Sequence, residues 1–262
     1  MRRIVVRVAI VGLLLACLAA AVVRTFGAPA LEDAAAMHRV GKVWLLLALG
    51  ANPNGAWSPA NRHAFSPLNR ATGRESPREL ATVELLLARG ADPNSALASA
   101  VFFGSVETAR LLLEHGANPN AADVGDPLLS QAVRNIGDAR PGDGGYVVLN
   151  EELARLLLEH GAKADAANRW GITPLHVVAE HWRRGDPRLL AAAGLLLAHG
   201  ANVNAQDSLG RTPLDCAKGW GAAGPMAKLL VGHGGRPGRR PAGLPVPRIS
   251  APPGAAHAGR HR

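Results

Sequence analysis

The stretch Leu111-Leu112-Leu113-Glu114-His115-Gly116-Ala117-Asn118-Pro119-Asn120 decides how this chain reads. Three leucines close a helix that has one face to bury. The glycine then supplies the left-handed position that stops the helix. Asn and Pro follow as turn formers. The block recurs. Earlier copies run from Val43 to Asn54 (VWLLLALGANPN) and from Leu85 to Asn94 (LLLARGADPN). Later ones run from Leu156 to Asp165 (LLLEHGAKAD) and from Leu195 to Asn204 (LLLAHGANVN), with a degraded copy at Leu229–Gly235.

A second block precedes some of these, as Gly171-Ile172-Thr173-Pro174-Leu175-His176 and Gly210-Arg211-Thr212-Pro213-Leu214-Asp215. Here Thr caps a helix and Pro fits its first turn, where no amide donor is needed. Each unit is therefore turn, helix, turn, helix. With both blocks in this order the chain resembles the ankyrin-repeat family, whose unit carries Thr-Pro-Leu-His at a period of about 33 residues. Ser66-Pro67-Leu68, Ser95-Ala96-Leu97 and Asp126-Pro127-Leu128 read as weaker copies of the helix start. The resemblance covers about residues 31–235 and implies an all-α solenoid of about six helix-turn-helix repeats.

The spacing is irregular. Successive glycine markers lie 40, 26, 45, 39 and 34 residues apart. The 26-residue interval runs Asn94 directly into Ser95, so the hairpin finger between blocks is missing there. The 45-residue interval gains a loop at 137–150, and the 40- and 39-residue intervals lengthen a finger around Trp57 and inter-helix turns around Gly73 and Trp182. Leu31 lies 19 residues before Gly50, so the first unit starts there without a finger, as a cap would.

The termini differ from the body. Residues 1–30 hold four Arg and no acid; residues 236–262 hold six Arg and no acid. Between them 19 basic residues face 20 acidic ones, so the body lacks the charge of a nucleic-acid binder. Arg2, Arg3 and Arg7 precede an apolar run from Val8 to Val23, which Arg24 closes. Residues 1–30 thus read as a signal peptide or a signal anchor, with Ala28-Pro29-Ala30 as a small-x-small cleavage site. Both alternatives deliver the repeats across a membrane, because the positive charge stays inside. Leu14-Leu15-Ala16-Cys17 is a poor lipoprotein box, since the sequence after Cys17 stays apolar, and Arg2-Arg3 is a weak twin-arginine signal. The Ala-, Arg- and Gly-rich composition points to a GC-rich bacterial source, hence to a periplasmic or inner-membrane-anchored protein. Residues 236–262 have almost no large apolar side chain and read as a disordered basic Pro/Gly/Arg-rich tail.

Chemistry finds little footing. Two Cys exclude a disulfide scaffold and a Cys-rich zinc module, and Cys216 reads as a buried core thiol. His115, His160, His199 and His233 precede a glycine, where a His serves a helix C-terminus. His176 to His181 matches no zinc-protease spacing, although a metal or enzymatic role around these two His, with the loop near Tyr146, is the rival reading to be tested. No nucleophile elbow, phosphate loop or Cys–His pair is present, so neither catalytic residues nor a cofactor or metal site is expected.

Binding remains. The resemblance implies a concave surface of fingertips and first-helix faces. Carried over by position, it places Arg169, Trp170 and Ile172 at one fingertip, with Glu180 and His181 on the adjoining helix. The next finger supplies Ser208, Leu209 and Arg211, with Trp220 on its helix, and the fingerless unit presents Phe102 and Phe103. The expected function is non-catalytic protein–protein interaction outside the cytoplasm. Tethering of the basic tail to anionic lipid or nucleic acid is the alternative, to be separated by its salt dependence.

Overall fold

The structure is a computed structural model that describes residues 28–55, 65–73, 76–123, 125–137, 151–182, 186–218 and 224–238. Among the described residues the helices fall into six pairs. They are α1 (28–36) with α2 (Val40–Ala48), α3 (Pro67–Ala71) with α4 (Pro77–Ala88), and α5 (Leu97–Phe103) with α6 (Val106–Glu114). Then come α7 (Leu128–Gly137) with α8 (Glu151–Glu159), α9 (Pro174–His181) with α10 (Pro187–Ala198), and α11 (Pro213–Lys218) with α12 (Pro225–Gly232). A single helical turn, Pro93–Ser95, precedes α5, and one short antiparallel pairing joins β1 (Ala122–Asp123) to β2 (Asp126–Pro127).

Each first helix is held by residues at i, i+3 and i+4, one stripe of a helix, all apolar but Thr72, which caps α3. The sets are Leu31/Ala34/Ala35, Leu68/Ala71/Thr72, Leu97/Ala100/Val101, Leu129/Ala132/Val133 and Leu175/Val178/Ala179, all buried, with Leu214 and Ala217 in the last. This register corrects one motif reading. Leu129, not Leu128, occupies the place of Leu175, so Pro127 rather than Asp126 stands where Thr173 does. The shortened finger before α7 makes the shift, and sequence spacing alone could not show it.

The glycine stops hold. Gly50, Gly90, Gly116, Gly161, Gly200 and Gly234 all have φ between 83° and 92°. Behind each, the amide of the next residue donates back across the turn, as Ala117 N–H does to Leu112 O at 3.0 Å. The α1–α2 turn is different. His38 occupies the left-handed position at φ 50°, where Gly104 stands between α5 and α6.

Neighbouring repeats are stitched by the fourth residue after each of the first five of these glycines. Asn54 Oδ1 accepts from Asp92 N–H (2.7 Å), Asn94 from Asn118 (2.8 Å) and Asn120 from Lys163 (2.8 Å). Asp165 accepts likewise from Asn202 (2.7 Å) and Asn204 from Arg236 (2.7 Å). The Asn residues that read as turn formers therefore also form a ladder of side chain to backbone bonds along one edge.

The helix-start motif makes a second stitch. His176 is 1% exposed. Its Nδ1 accepts from Thr173 N–H (3.2 Å), and Nε2–H donates to Arg211 O of the next finger (3.0 Å). Asn69 plays the same part toward Ser95 O (3.2 Å), and Asp215 accepts from Gly238 N–H (2.7 Å). In α7 Ser130 stands at that place, and its buried Oγ has no partner among the described residues. His176 thus joins one repeat to the next through both of its ring nitrogens.

Both ends of the repeat span run beyond the positions read from sequence. The described part of α1 begins at residue 28 rather than at Leu31. At the other end Arg236 and Gly238 sit against Asn204, Thr212 and Asp215, in the seat that a seventh turn would take. The rest of the N-terminal run (1–27), the loop at 138–150 and tail residues 239–262 lie outside the described residues.

Candidate functional site

Two fingers stand side by side between α8 and α11. In the first, Asn168 Oδ1 accepts from Trp170 N–H (3.0 Å) and Ile172 N–H (3.1 Å), and Asn168 N–H donates to Ile172 O. In the second, Asp207 does the same for Leu209 and Arg211 (2.9 Å each). An Asx side chain thus ties each fingertip into a fixed turn. The fingers also touch: Ser208 N–H donates to Trp170 O at 2.8 Å. Gly171 makes this approach possible. At its φ of 74° an added Cβ would lie 3.1 Å from Asp207 Cα. Asn168 Nδ2 reaches the preceding finger at Asp126 Oδ1 (2.8 Å). Burial raises the Asp126 carboxyl, but the Asn168 amide and Arg134 outweigh it and hold the group below its ordinary value.

On this frame Trp170 is 47% exposed, with the Arg169 guanidinium 4.1 Å from its ring centroid. Leu209 is exposed beside it, and so is Ser208. Ile172 is half-buried against the core, and Arg211 is anchored by its Nε–H to Asp207 Oδ2 at 2.7 Å. These two side chains build the fingers more than they project from them. Glu180 is exposed at the end of α9, and His181 Nδ1 lies 2.8 Å from Val177 O. Phe102 and Phe103 occupy the equivalent end of α5, 68% and 46% exposed, in an edge-to-face pair with centroids 5.3 Å apart. Trp220 lies outside the described residues, as does Trp57. Trp182 is 8% exposed and belongs to the core.

Sequence reasoning missed Phe65, exposed before α3 with Arg70 5.2 Å from its ring centroid, and Met37, exposed at the end of α1. The signal for Met37 was available, since it stands six places after Leu31 as Phe103 does after Leu97.

The metal reading finds its ligands engaged. Both ring nitrogens of His176 are committed to inter-repeat bonds, and burial lowers its pKa. Among the described residues no group of three or more His, Cys, Asp or Glu could hold a metal ion. His115, His160 and His233 direct Nδ1 to the carbonyls of Leu111, Leu156 and Leu229 (2.8, 2.9 and 3.0 Å), as their place before a glycine led one to expect. Burial pushes the Cys216 thiol up to about 12.

This architecture is a stack of helix pairs with projecting turns. Residues 146–240 match the family described as Ankyrin repeats (3 copies), and residues 94–124 match Ankyrin repeat. The chain carries ankyrin repeats over these residues, and such repeats are protein–protein interaction modules. The first two helix pairs lie outside the matched residues but carry the same buried triads and Asn ladder. No curated protein matches the chain. Among the described residues no helix is long and apolar enough to cross a membrane; the run Val8–Val23 lies outside them.

Proposed function

We propose that the protein is a non-catalytic scaffold that binds a protein partner through its fingertips and first-helix ends, on the far side of a membrane from the cytoplasm. One observation carries the binding face. Trp170 projects half-exposed from a fingertip whose backbone is tied by Asn168 and by the next finger. A rigid, exposed Trp beside an Arg has little ordering entropy left to lose on binding, and these residue types dominate interface energetics. Export rests on the charge order of residues 1–24, and a retained run would hang the repeats from the membrane.

The test is affinity capture by the full chain from an extracytoplasmic fraction, beside a Trp170→Ala, Leu209→Ala variant of unchanged circular dichroism. A partner retained by the first bait and lost by the second supports the reading. Equal retention by both places binding elsewhere and overturns the fingertip assignment.

A further inference from the structure

The exposed side of α2 carries a large aromatic that none of the later second helices has. Gly41, Trp44, Leu45 and Ala48 fall at i, i+3, i+4 and i+7 and are all exposed. Trp44 is 52% exposed and Leu45 50%. Counting back from the glycine stops, the corresponding set is Glu107, Arg110, Leu111 and Glu114 in α6, and Glu152, Arg155, Leu156 and Glu159 in α8. At the place of Trp44 stand Glu84, Arg110, Arg155, Gly194 and Lys228. At four of these five places a charged side chain stands where the first repeat has a large amphipathic aromatic. Its flanks, Arg39 and Lys42, are exposed and basic.

We propose that this α2 face rests on the lipid surface of the membrane that holds the chain. The inference builds on the retained-anchor form of the reading above. The distance argues for it. Residues 24–27 alone separate the apolar run from α1, and four residues reach at most about 14 Å. The first helix pair therefore lies against the headgroups whenever the run is in the bilayer. Trp is the side chain suited to that depth, with an apolar body and a polar N–H. Arg39 and Lys42 match anionic headgroups.

The test reconstitutes the full chain in vesicles of phosphatidylcholine and phosphatidylglycerol whose acyl chains are brominated near the headgroup, a quencher of tryptophan emission. Trp44→Phe is compared with the unaltered chain. Trp44 is one of five Trp, so bromination should remove on the order of a fifth of the emission, and this component should vanish in Trp44→Phe. Flotation of the vesicles reports anchoring separately. If the chain does not float, the anchor reading falls and this inference with it. If it floats and Trp44→Phe leaves the bromine quenching unchanged, only the lipid contact is overturned. Trp44 shielded from acrylamide yet untouched by bromine would mean that protein covers the face, a second copy included, and would overturn it too.

Discussion

Replacing His176 by Leu tests the repeat-to-repeat stitching. The leucine fits the volume but leaves Thr173 N–H and Arg211 C=O without the partners they have at 3.2 and 3.0 Å. Thr173 is itself only 4% exposed, so water does not readily replace the bond. A net hydrogen bond contributes about 1 kcal/mol and a stranded buried group costs about 1–3 kcal/mol, so the variant should lose about 2–4 kcal/mol. The assay is urea unfolding followed by circular dichroism, with exposed His199→Leu as the control. The sign of the pH dependence follows from burial, which lowers the His176 pKa below its ordinary 6.5. The unfolded chain then binds a proton that the folded one refuses. This stabilisation is complete above the unfolded value, declines as pH falls through it, and levels off below the folded pKa. His176→Leu should flatten that part of the profile. A loss below about 0.5 kcal/mol, or an unchanged slope on the acid side, would mean that His176 does not hold the two repeats together.

Three further outcomes follow from named contacts. His38→Gly should stabilise the protein by about 1 kcal/mol in the same unfolding assay, because φ 50° disfavours a side chain and the buried His38 Nδ1 has no partner among the described residues. Asn120→Ala should cost about 1 kcal/mol, since it removes the bonds to Lys163 N–H and Gly161 O on the outer edge. In a Cys17→Ser background, Cys216, with its pKa pushed up to about 12, should react with a neutral-pH disulfide reagent at least about tenfold more slowly than free cysteine, and at the ordinary rate in urea, since the scarcer thiolate is partly offset by its greater nucleophilicity.

The frame was legible because two local devices recur. A helix-stopping glycine and a Pro at a helix start act through backbone conformation, so each copy announces itself without its neighbours. The inter-repeat chemistry was less visible. Asn54, Asn94, Asn120 and Asn204 looked like turn formers, and a turn preference says nothing about the next repeat's amide. Their recurrence at one fixed place after each glycine was the available clue. His38 gave no such clue, because a left-handed residue is read from glycine. Trp182 stands in a turn between helices, and only tertiary packing shows it buried. At the candidate site, position identified the fingertip, but the division between framework and projecting side chains was not readable. Arg211 and Ile172 turn inward toward Asp207 and the core, whereas Trp170 and Leu209 stay exposed.

The central claim is that the fingertip at Trp170 meets a protein. The most direct measurement places a photo-crosslinking amino acid at position 170 of the full chain in its source cells, with position 155 on the exposed side of α8 as the comparison. A partner seated on the fingertip gives one discrete crosslinked protein at position 170 and none at position 155. Equal labelling at the two positions, or none at position 170, would contradict it.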